Sequence, residues 1–229
     1  MKQGIGHQMT VASTGTRAPE GWALFGWIVG LSSVAVLLLA TTVDLSTGAG
    51  TVSMIRTSVR FSSPWVIVAF AASSLWTLFP NALTRWLLRN RRIFGLCFAA
   101  GMGWQLVFIA WMFVGHWDFY MEEIHPAGDL PLRLVAYAIL LAMTVTSFAA
   151  PRRMIGPKAW RVLHKVGIYS MWLAIWGSYT EALFVMENPP GVAYLFAAAG
   201  LAAWMLRIAA FTQQRASARA PLRPGADRA

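Results

Sequence analysis

Long apolar runs separated by short polar segments dominate the sequence. A helix needs roughly 20 mostly apolar residues to cross about 30 Å of hydrocarbon. Six runs come close to that length, at 21–43, 64–83, 93–114, 132–150, 160–184 and 192–211. We therefore predict an all-α integral membrane protein in which residues 21–211 form a bundle of six transmembrane helices.

Two prolines predict local features of the second run. Pro64 suits a first helical turn, where the missing N–H of proline needs no partner. Pro80 lies inside the same run, near its far end. Because proline removes a helical hydrogen bond and clashes with the preceding turn, Pro80 predicts a kink there.

The composition supports a membrane location. Hydrophobic residues make up 57% of the chain and charged residues 12%, about half the charged share of an average soluble domain. Twelve Trp and 13 Phe are more than a small soluble core would bury. These values argue against a disordered chain, a fibrous repeat or a nucleic-acid binder. The single cysteine, Cys97, excludes an intramolecular disulfide and a multi-cysteine metal site.

The positions of the basic residues predict an orientation. The basic residues fall mainly in the short loops between apolar runs. With the N-terminus in the cytoplasm, 16 of the 19 Lys and Arg residues fall on the cytoplasmic side, and Arg56, Arg60 and Arg133 fall outside. An excess of Lys and Arg in cytoplasmic loops sets membrane topology. We therefore expect both termini in the cytoplasm, with a cytoplasmic segment at 1–20 and a disordered basic tail at 212–229.

Polar residues within the predicted fifth helix have two readings. His164 lies in its first turns, as an interfacial anchor or as a ligand to heme iron. Small and polar residues follow it on one helical face, namely Gly167, Met171, Ala174, Ser178 and Glu181. Such a stripe lets a second helix, or a flat cofactor, come close.

The predicted third helix carries a similar stripe, which includes Cys97, Gly101, Phe108 and Met112. Gln105 lies on this stripe near the middle of the membrane, where an unpaired amide would cost several kcal/mol. Its side chain is therefore expected to face the bundle, a partner or a cofactor. A hydrogen bond to a neighbouring helix is the plainest of these alternatives.

Two segments resemble a known family. They are Arg91-Arg92-Ile93-Phe94-Gly95-Leu96, and Thr146-Ser147 followed by residues 154–169, which contain Trp160, Leu163-His164-Lys165 and Tyr169. In these segments the chain resembles the ferric-reductase-like transmembrane proteins. The nearest resemblance is to the heme-binding membrane subunit of the bacterial methionine sulfoxide reductase system.

The resemblance implies a b-type heme held by histidines between the third and fifth helices. It also implies electron flow from a cytoplasmic flavin or nicotinamide reductase to an extracytoplasmic partner. His164 matches one ligand position of the fifth helix, but the second falls on Gly177 or Ser178. The inner position of the third helix falls on Gln105. The outer one falls near Asp118 or Phe119, and His116 is close to it but out of register.

These departures leave three alternatives for heme b. His164 could hold it alone or with Met102 or Met171, His116 could hold an outer heme with another residue, or the fold has lost heme. The resemblance thus implies an oxidoreductase-like electron-transfer component of the bacterial inner membrane if heme is retained. The alternative function is a non-catalytic scaffold or accessory subunit. In both cases the lipid bilayer is the expected partner and nucleic acid is not.

The segment 116–125 gathers imidazole and carboxylate groups, including His116, Asp118, Glu122, Glu123 and His125. Such groups bind Fe, Mn or Zn, although their spacing matches no compact motif. The aromatic residues among them are also typical of a belt at the membrane interface.

Overall fold

The computed structural model describes residues 18–124 and 130–219. The helices are α1 (Gly21–Ala40), α2 (Gly48–Leu78), α3 (Ala82–Gly115), the single turn α4 (Trp117–Phe119), α5 (Leu130–Val145), α6 (Ala149–Val185) and α7 (Gly191–Arg219). A π-helical turn, Tyr120–Ile124, follows α4. No strand occurs within the two described ranges, so the all-α prediction is confirmed.

Four of these helices, α1, α2, α3 and α7, are each long and apolar enough to cross a membrane. The pair α5 and α6 is bent by 111° and meets the same criterion only when taken together, which gives up to five spans. The 16 residues of α5 extend about 24 Å at 1.5 Å per residue, less than a typical hydrocarbon core. The helices indicate a multi-pass membrane protein, and the sixth crossing stays a prediction.

The ends of α2 differ from the prediction. The helix begins at Gly48, where the Thr47 side chain accepts a hydrogen bond from Gly50 N, and Pro64 lies in its interior. Phe79 then leaves the helical conformation, with φ −134° and ψ 73°. A residue before proline avoids the α region, so Pro80 ends α2 instead of kinking it. Asn81 starts α3 at once with a capping box.

Two further segments are helical where the prediction had loop or disorder. The basic residues from Arg85 to Arg92 lie in the first turns of α3, not in a connecting loop. Helix α7 continues beyond Phe211 as far as Arg219, so the predicted disordered tail begins as helix. Residues 220–229 and the predicted N-terminal segment up to residue 17 lie outside the described residues.

Contacts between helix ends show how the bundle is connected. Near the turn at 79–81, Glu20 pairs with Arg89 at 2.6 Å and Gln214 Nε2 donates to Thr77 Oγ1 at 3.3 Å. At the other end, the His116 ring bonds to Leu45 O at 3.0 Å. The long helices therefore alternate in direction, and both ends of the described chain lie beside the turn at 79–81. We call this the basic end, since Arg85, Arg89, Arg91 and Arg92 cluster there.

Helix α2 lies at the centre, and small side chains let its neighbours approach. The fully buried side chains of α2 include Ser58, Ser62, Ser63 and Ala72. The buried hydroxyls bond back to carbonyls of their own helix, for example Ser58 Oγ to Ile55 O at 2.8 Å. Such local bonds satisfy the hydroxyls within α2, and Ser63 Oγ also bonds to the Tyr179 hydroxyl of α6 at 3.1 Å.

An aromatic stack joins α2, α6 and α7. The Phe70 ring stacks on Trp172 with centroids 5.1 Å apart, and Trp172 stacks on Trp204 at 5.1 Å. Trp172 Nε1 donates to Gly200 O at 3.1 Å. Because the indole N–H is satisfied within the bundle, Trp172 can be buried without loss of a hydrogen bond.

Candidate functional site: a cationic cavity at the basic end

A cavity of about 450 Å³ opens between the helices at the basic end. This volume lies within the range of roughly 300–1,000 Å³ found for small-molecule sites. Its inner wall is apolar and includes Val66, Ala69, Leu96, Phe98, Leu140, Ile168 and Met171. Its rim carries six cationic residues, Arg91, Arg92, Arg152, Arg161, Lys165 and Arg207. We call it the cationic cavity.

No Asp or Glu contributes to the wall of the cationic cavity in the part of the chain that the structure describes. Glu20 also lies at the basic end, but it pairs with Arg89, and neither residue lines the cavity. Six positive charges around one space repel one another. The cavity is therefore a region of strongly positive potential above an apolar floor.

Aromatic rings hold three of the guanidinium groups in place. Arg207 lies 4.3 Å from the Phe70 ring centroid, and Arg152 lies 4.1 Å from that of Trp160. Arg92 lies 5.9 Å from the Trp22 ring. Cation–π contacts favour these positions, so the charges on the rim are partly fixed before any ligand arrives.

Arg207 also ties three helices together. Its Nη1 donates to Phe70 O on α2 at 2.8 Å, and its Nε donates to the Tyr169 hydroxyl on α6 at 2.9 Å. Arg207 lies inside the sixth predicted apolar run, 192–211. A charged residue inside an apolar run is a signal, because such residues are costly unless they pair.

His164 lies half-buried on the cavity wall. Its Nε2 lies 3.1 Å from Thr146 Oγ1, and Thr146 Oγ1 lies 2.6 Å from Ala142 O. In one ring tautomer Thr146 gives its single proton to Ala142 O and accepts from His164 Nε2, and in the other tautomer Nε2 accepts from Thr146. In either arrangement Nε2 has no free lone pair for a metal.

Trp160 completes this contact between α5 and α6. Its Nε1 donates to Thr146 O at 3.0 Å, and its ring lies 4.6 Å from that of His164. The Thr, Trp and His that carry the family resemblance thus lie together at the bend between the two helices. Gly156, with φ 74°, breaks α6 before this contact and adopts a conformation that favours glycine.

The structure does not bring the other predicted ligand positions to His164. Gln105 on α3 accepts a hydrogen bond from the Tyr137 hydroxyl on α5 at 2.6 Å. Of the alternatives predicted for Gln105, this is the hydrogen bond to a neighbouring helix. Tyr137 and Thr146, the contacts of Gln105 and His164, are about 13 Å apart along α5. Gln105 and His164 therefore lie at different depths.

The remaining positions are also separate. His116 lies at the opposite end of the bundle, bonded to Leu45 O. Ser178 is exposed and donates to Ala174 O on its own helix at 2.8 Å. A methyl group placed on Gly177 would meet no described atom within 4 Å. Neither residue faces the cationic cavity.

The small-residue stripe of α6 is divided in the same way. Gly167 is buried against the Met143 side chain, whereas Ala174, Ser178 and Glu181 are exposed. The stripe is therefore not one continuous packing surface. Burial of the large aromatic Trp172 next to Phe70 rotates the second half of the stripe outward.

A heme held by histidines from two helices does not fit these residues, because His164 is the one histidine of the described cavity wall, where the other possible axial ligands are Met143 on α5 and Met171 on α6. Axial ligands are His, Met, Cys or Tyr, and the described cavity residues of α2 and α3 include none of these. Met171 lies two turns beyond His164 on the same helix, about 10 Å away. Met102 is not a lining residue and accepts from Ser62 Oγ at 3.6 Å.

The predicted metal site at 116–125 is described only in part, since His125 lies outside the described residues. Within 18–124 and 130–219 no group of three or more His, Cys, Asp or Glu side chains could hold a metal ion. The aromatic residues of the segment contact one another, with Phe113 and Tyr120 centroids 4.8 Å apart. This packing agrees with the aromatic-belt alternative.

Comparison with protein-family models, curated proteins and solved structures finds no match for this chain. The likeness to ferric-reductase-like proteins therefore rests on the motif residues quoted above.

Proposed function

We propose that the protein is a multi-pass membrane protein built on a ferric-reductase-like helix bundle whose heme sites are degenerate. It would act as a non-catalytic accessory subunit or scaffold of a membrane complex. The carrying observation is the separation of His164 from Gln105 and from the face that holds Gly177 and Ser178. A bundle that keeps the family motif without a second histidine beside His164 can dock a partner but has no bis-histidine heme site of the family type.

A second candidate function is electron transfer through one heme b bound by His164 alone. It is favoured by the position of His164 on the wall of an apolar cavity with a cationic rim. Heme carries carboxylates that arginines would pair with. This candidate requires the His164 ring to give up its bond to Thr146, and it requires a cytoplasmic flavin or nicotinamide reductase as electron donor.

An absorption spectrum separates the two candidates. The protein is expressed with added heme precursor, purified in mild detergent, and recorded before and after dithionite. We expect a folded, colourless protein without a b-type Soret band, because no second histidine lines the described cavity wall beside His164.

The variant His164→Ala makes the spectrum decisive. A Soret band in the wild type that is lost in His164→Ala would overturn the scaffold proposal in favour of electron transfer. A band that survives the substitution would show that another residue binds heme. Gln105→Ala is the matched control, since under both candidates it should leave the spectrum unchanged.

We also propose that six helices cross a bacterial inner membrane with the basic end in the cytoplasm. The excess of Lys and Arg at that end supports this orientation. Because Cys97 is buried, with 2% of its surface exposed, single-cysteine labelling can test it in intact cells with Cys97 left in place. Ser46→Cys, in the exposed segment between α1 and α2, is expected to react with a membrane-impermeant maleimide.

The control position lies at the opposite end of the bundle. Ser217→Cys, on the last turns of α7, should react only after the cells are opened. Labelling of Ser217→Cys but not Ser46→Cys in intact cells would reverse the orientation. Labelling of both variants in intact cells would contradict the placement of the two positions on opposite sides of the membrane.

A further inference from the structure

We propose that the cationic cavity binds an anionic phospholipid, with the phosphate of the headgroup between the arginines of the rim and the acyl chains on the apolar wall. This goes beyond the proposed accessory function. It does not depend on whether the protein has lost heme, because it rests on the residues that line the cationic cavity.

The charges around the cavity favour an anion. Six cationic side chains from α3, α6 and α7 meet around one space, and no described acidic residue lines it. Arg91 and Arg207 lie close enough to repel each other, and the charges of Arg91 and Arg152 both disfavour a positive charge on His164. An anion placed between these groups would offset their mutual repulsion.

The hydrogen-bond donors of the rim suit a phosphate group. Five of the six cations are arginines, whose planar guanidinium groups match phosphate oxygens with two parallel hydrogen bonds. Rings already position Arg92, Arg152 and Arg207. Side chains held in place lose less entropy when a ligand binds, so a phosphate would find part of its site preformed.

The apolar wall of the cavity suits acyl chains. Val66, Leu96, Phe98, Leu140 and Ile168 line the inner part of the same cavity. A small soluble anion would leave this wall without a partner, whereas a molecule with a charged head and apolar chains covers both halves. Basic pockets between transmembrane helices bind anionic lipid headgroups in this way.

The location agrees with a lipid. The cavity lies at the basic end, where Trp160 and the arginines from α3 and α6 are expected at headgroup depth. Lipid from the surrounding leaflet could therefore occupy it while its chains remain in the hydrocarbon. A soluble phosphate or a nucleotide would share the headgroup chemistry, so the test must distinguish these sources.

The test titrates the full-length protein in uncharged detergent with three probes, phosphatidylglycerol, phosphatidylcholine with the same chains, and inorganic phosphate. Binding is measured by native mass spectrometry and by the shift of the thermal unfolding temperature. We expect phosphatidylglycerol to bind and to raise the unfolding temperature. We expect phosphatidylcholine and inorganic phosphate to do neither at equal concentration.

A charge variant locates the site. Arg161 and Lys165 line the cavity from one face of α6 and are both exposed at its rim. Each cation near an anionic headgroup contributes about fivefold to affinity, so Arg161→Gln combined with Lys165→Gln should weaken phosphatidylglycerol binding about 25-fold.

The matched control removes the same charge from the same helix. Arg153→Gln combined with Lys158→Gln changes two exposed cations of α6 that do not line the cavity, and it should change the affinity less than threefold. An equal loss in both double variants would mean general surface attraction and would overturn the proposal. So would equal binding of phosphatidylcholine or inorganic phosphate by the wild type.

The outcome is distinct from that of the heme spectrum. A colourless protein that fails to select phosphatidylglycerol would contradict only the lipid proposal. A heme-containing protein that selects phosphatidylglycerol would contradict only the accessory proposal, and a heme-containing protein that does not select it would contradict both. The wild-type comparison of lipids does not depend on any variant, so poor folding of the double variant would still leave a result.

Discussion

Replacing Gly101 with leucine is expected to lower the free energy of unfolding in detergent by about 3 kcal/mol. Gly101 lies on α3 where this helix packs against α2. A Cβ atom at this position would lie 2.6 Å from Ser62 Cβ and 3.2 Å from Ser62 Cα. These Ser62 atoms belong to the backbone or are attached directly to it, so the helices themselves would have to separate.

The effect of Gly101→Leu should extend beyond the contact with Ser62. Buried side chains on both sides, such as Cys97 and Phe108, would lose packing if α3 moved away from α2. Close packing is the main source of attraction between helices in a membrane, where lipid is as apolar as the side chains. Unfolding is measured by tryptophan fluorescence as the mole fraction of SDS is raised.

Gly103 provides the matched control on the same helix. A Cβ atom there would meet no described atom within 4 Å. Gly103→Leu should therefore keep the stability or raise it by about 0.5–1 kcal/mol, since glycine is a poor helix former. Equal losses in both variants would show that the close approach of α3 to Ser62 is not what the leucine disturbs.

Replacing Arg207 with leucine is expected to lower the free energy of unfolding by about 3 kcal/mol, because hydrogen bonds from a charged donor contribute about 1.5–3 kcal/mol each and are not additive. The substitution removes the bonds to Phe70 O and to the Tyr169 hydroxyl. It also removes the cation from the Phe70 and Tyr169 rings, 4.3 and 4.6 Å away. The contact that links α2, α6 and α7 would be lost.

Arg215 is the control for the loss of charge. It lies on the same helix and its guanidinium lies 4.2 Å from the Phe211 ring, but both side chains are exposed. Arg215→Leu should change the stability by less than about 0.5 kcal/mol. The same SDS titration serves for both variants.

A double-variant cycle tests the Arg207 contact itself. Tyr169→Phe alone removes one acceptor and should cost about 1 kcal/mol. In the Arg207→Leu background the same change should cost almost nothing, because its partner is gone. A full additional loss in that background would mean that Tyr169 stabilises the bundle through other contacts.

Several features of the site could be predicted in part from the sequence. The motif around Thr146, Trp160 and His164 identified the segment that forms one wall of the cavity, and the apolar setting of Gln105 indicated that its amide needs a partner. Neither observation could show the partners. The hydrogen bond from Tyr137 to Gln105 joins residues from two helices, and the angle at which helices meet depends on side chains from both.

The sequence alone determined that this is an all-helical membrane protein, because length and apolarity of a run decide whether a helix can lie in hydrocarbon. The distribution of basic residues along the sequence also predicted that most arginines lie at one end of the bundle. Only the tertiary structure decided that residues from five helices surround one cavity, with six cations at its rim. It likewise decided that His164 bonds to Thr146 and not to a residue on α3. Helical periodicity specifies a face, but rotation and depth are set by packing between helices, as the burial of Trp172 against Phe70 shows.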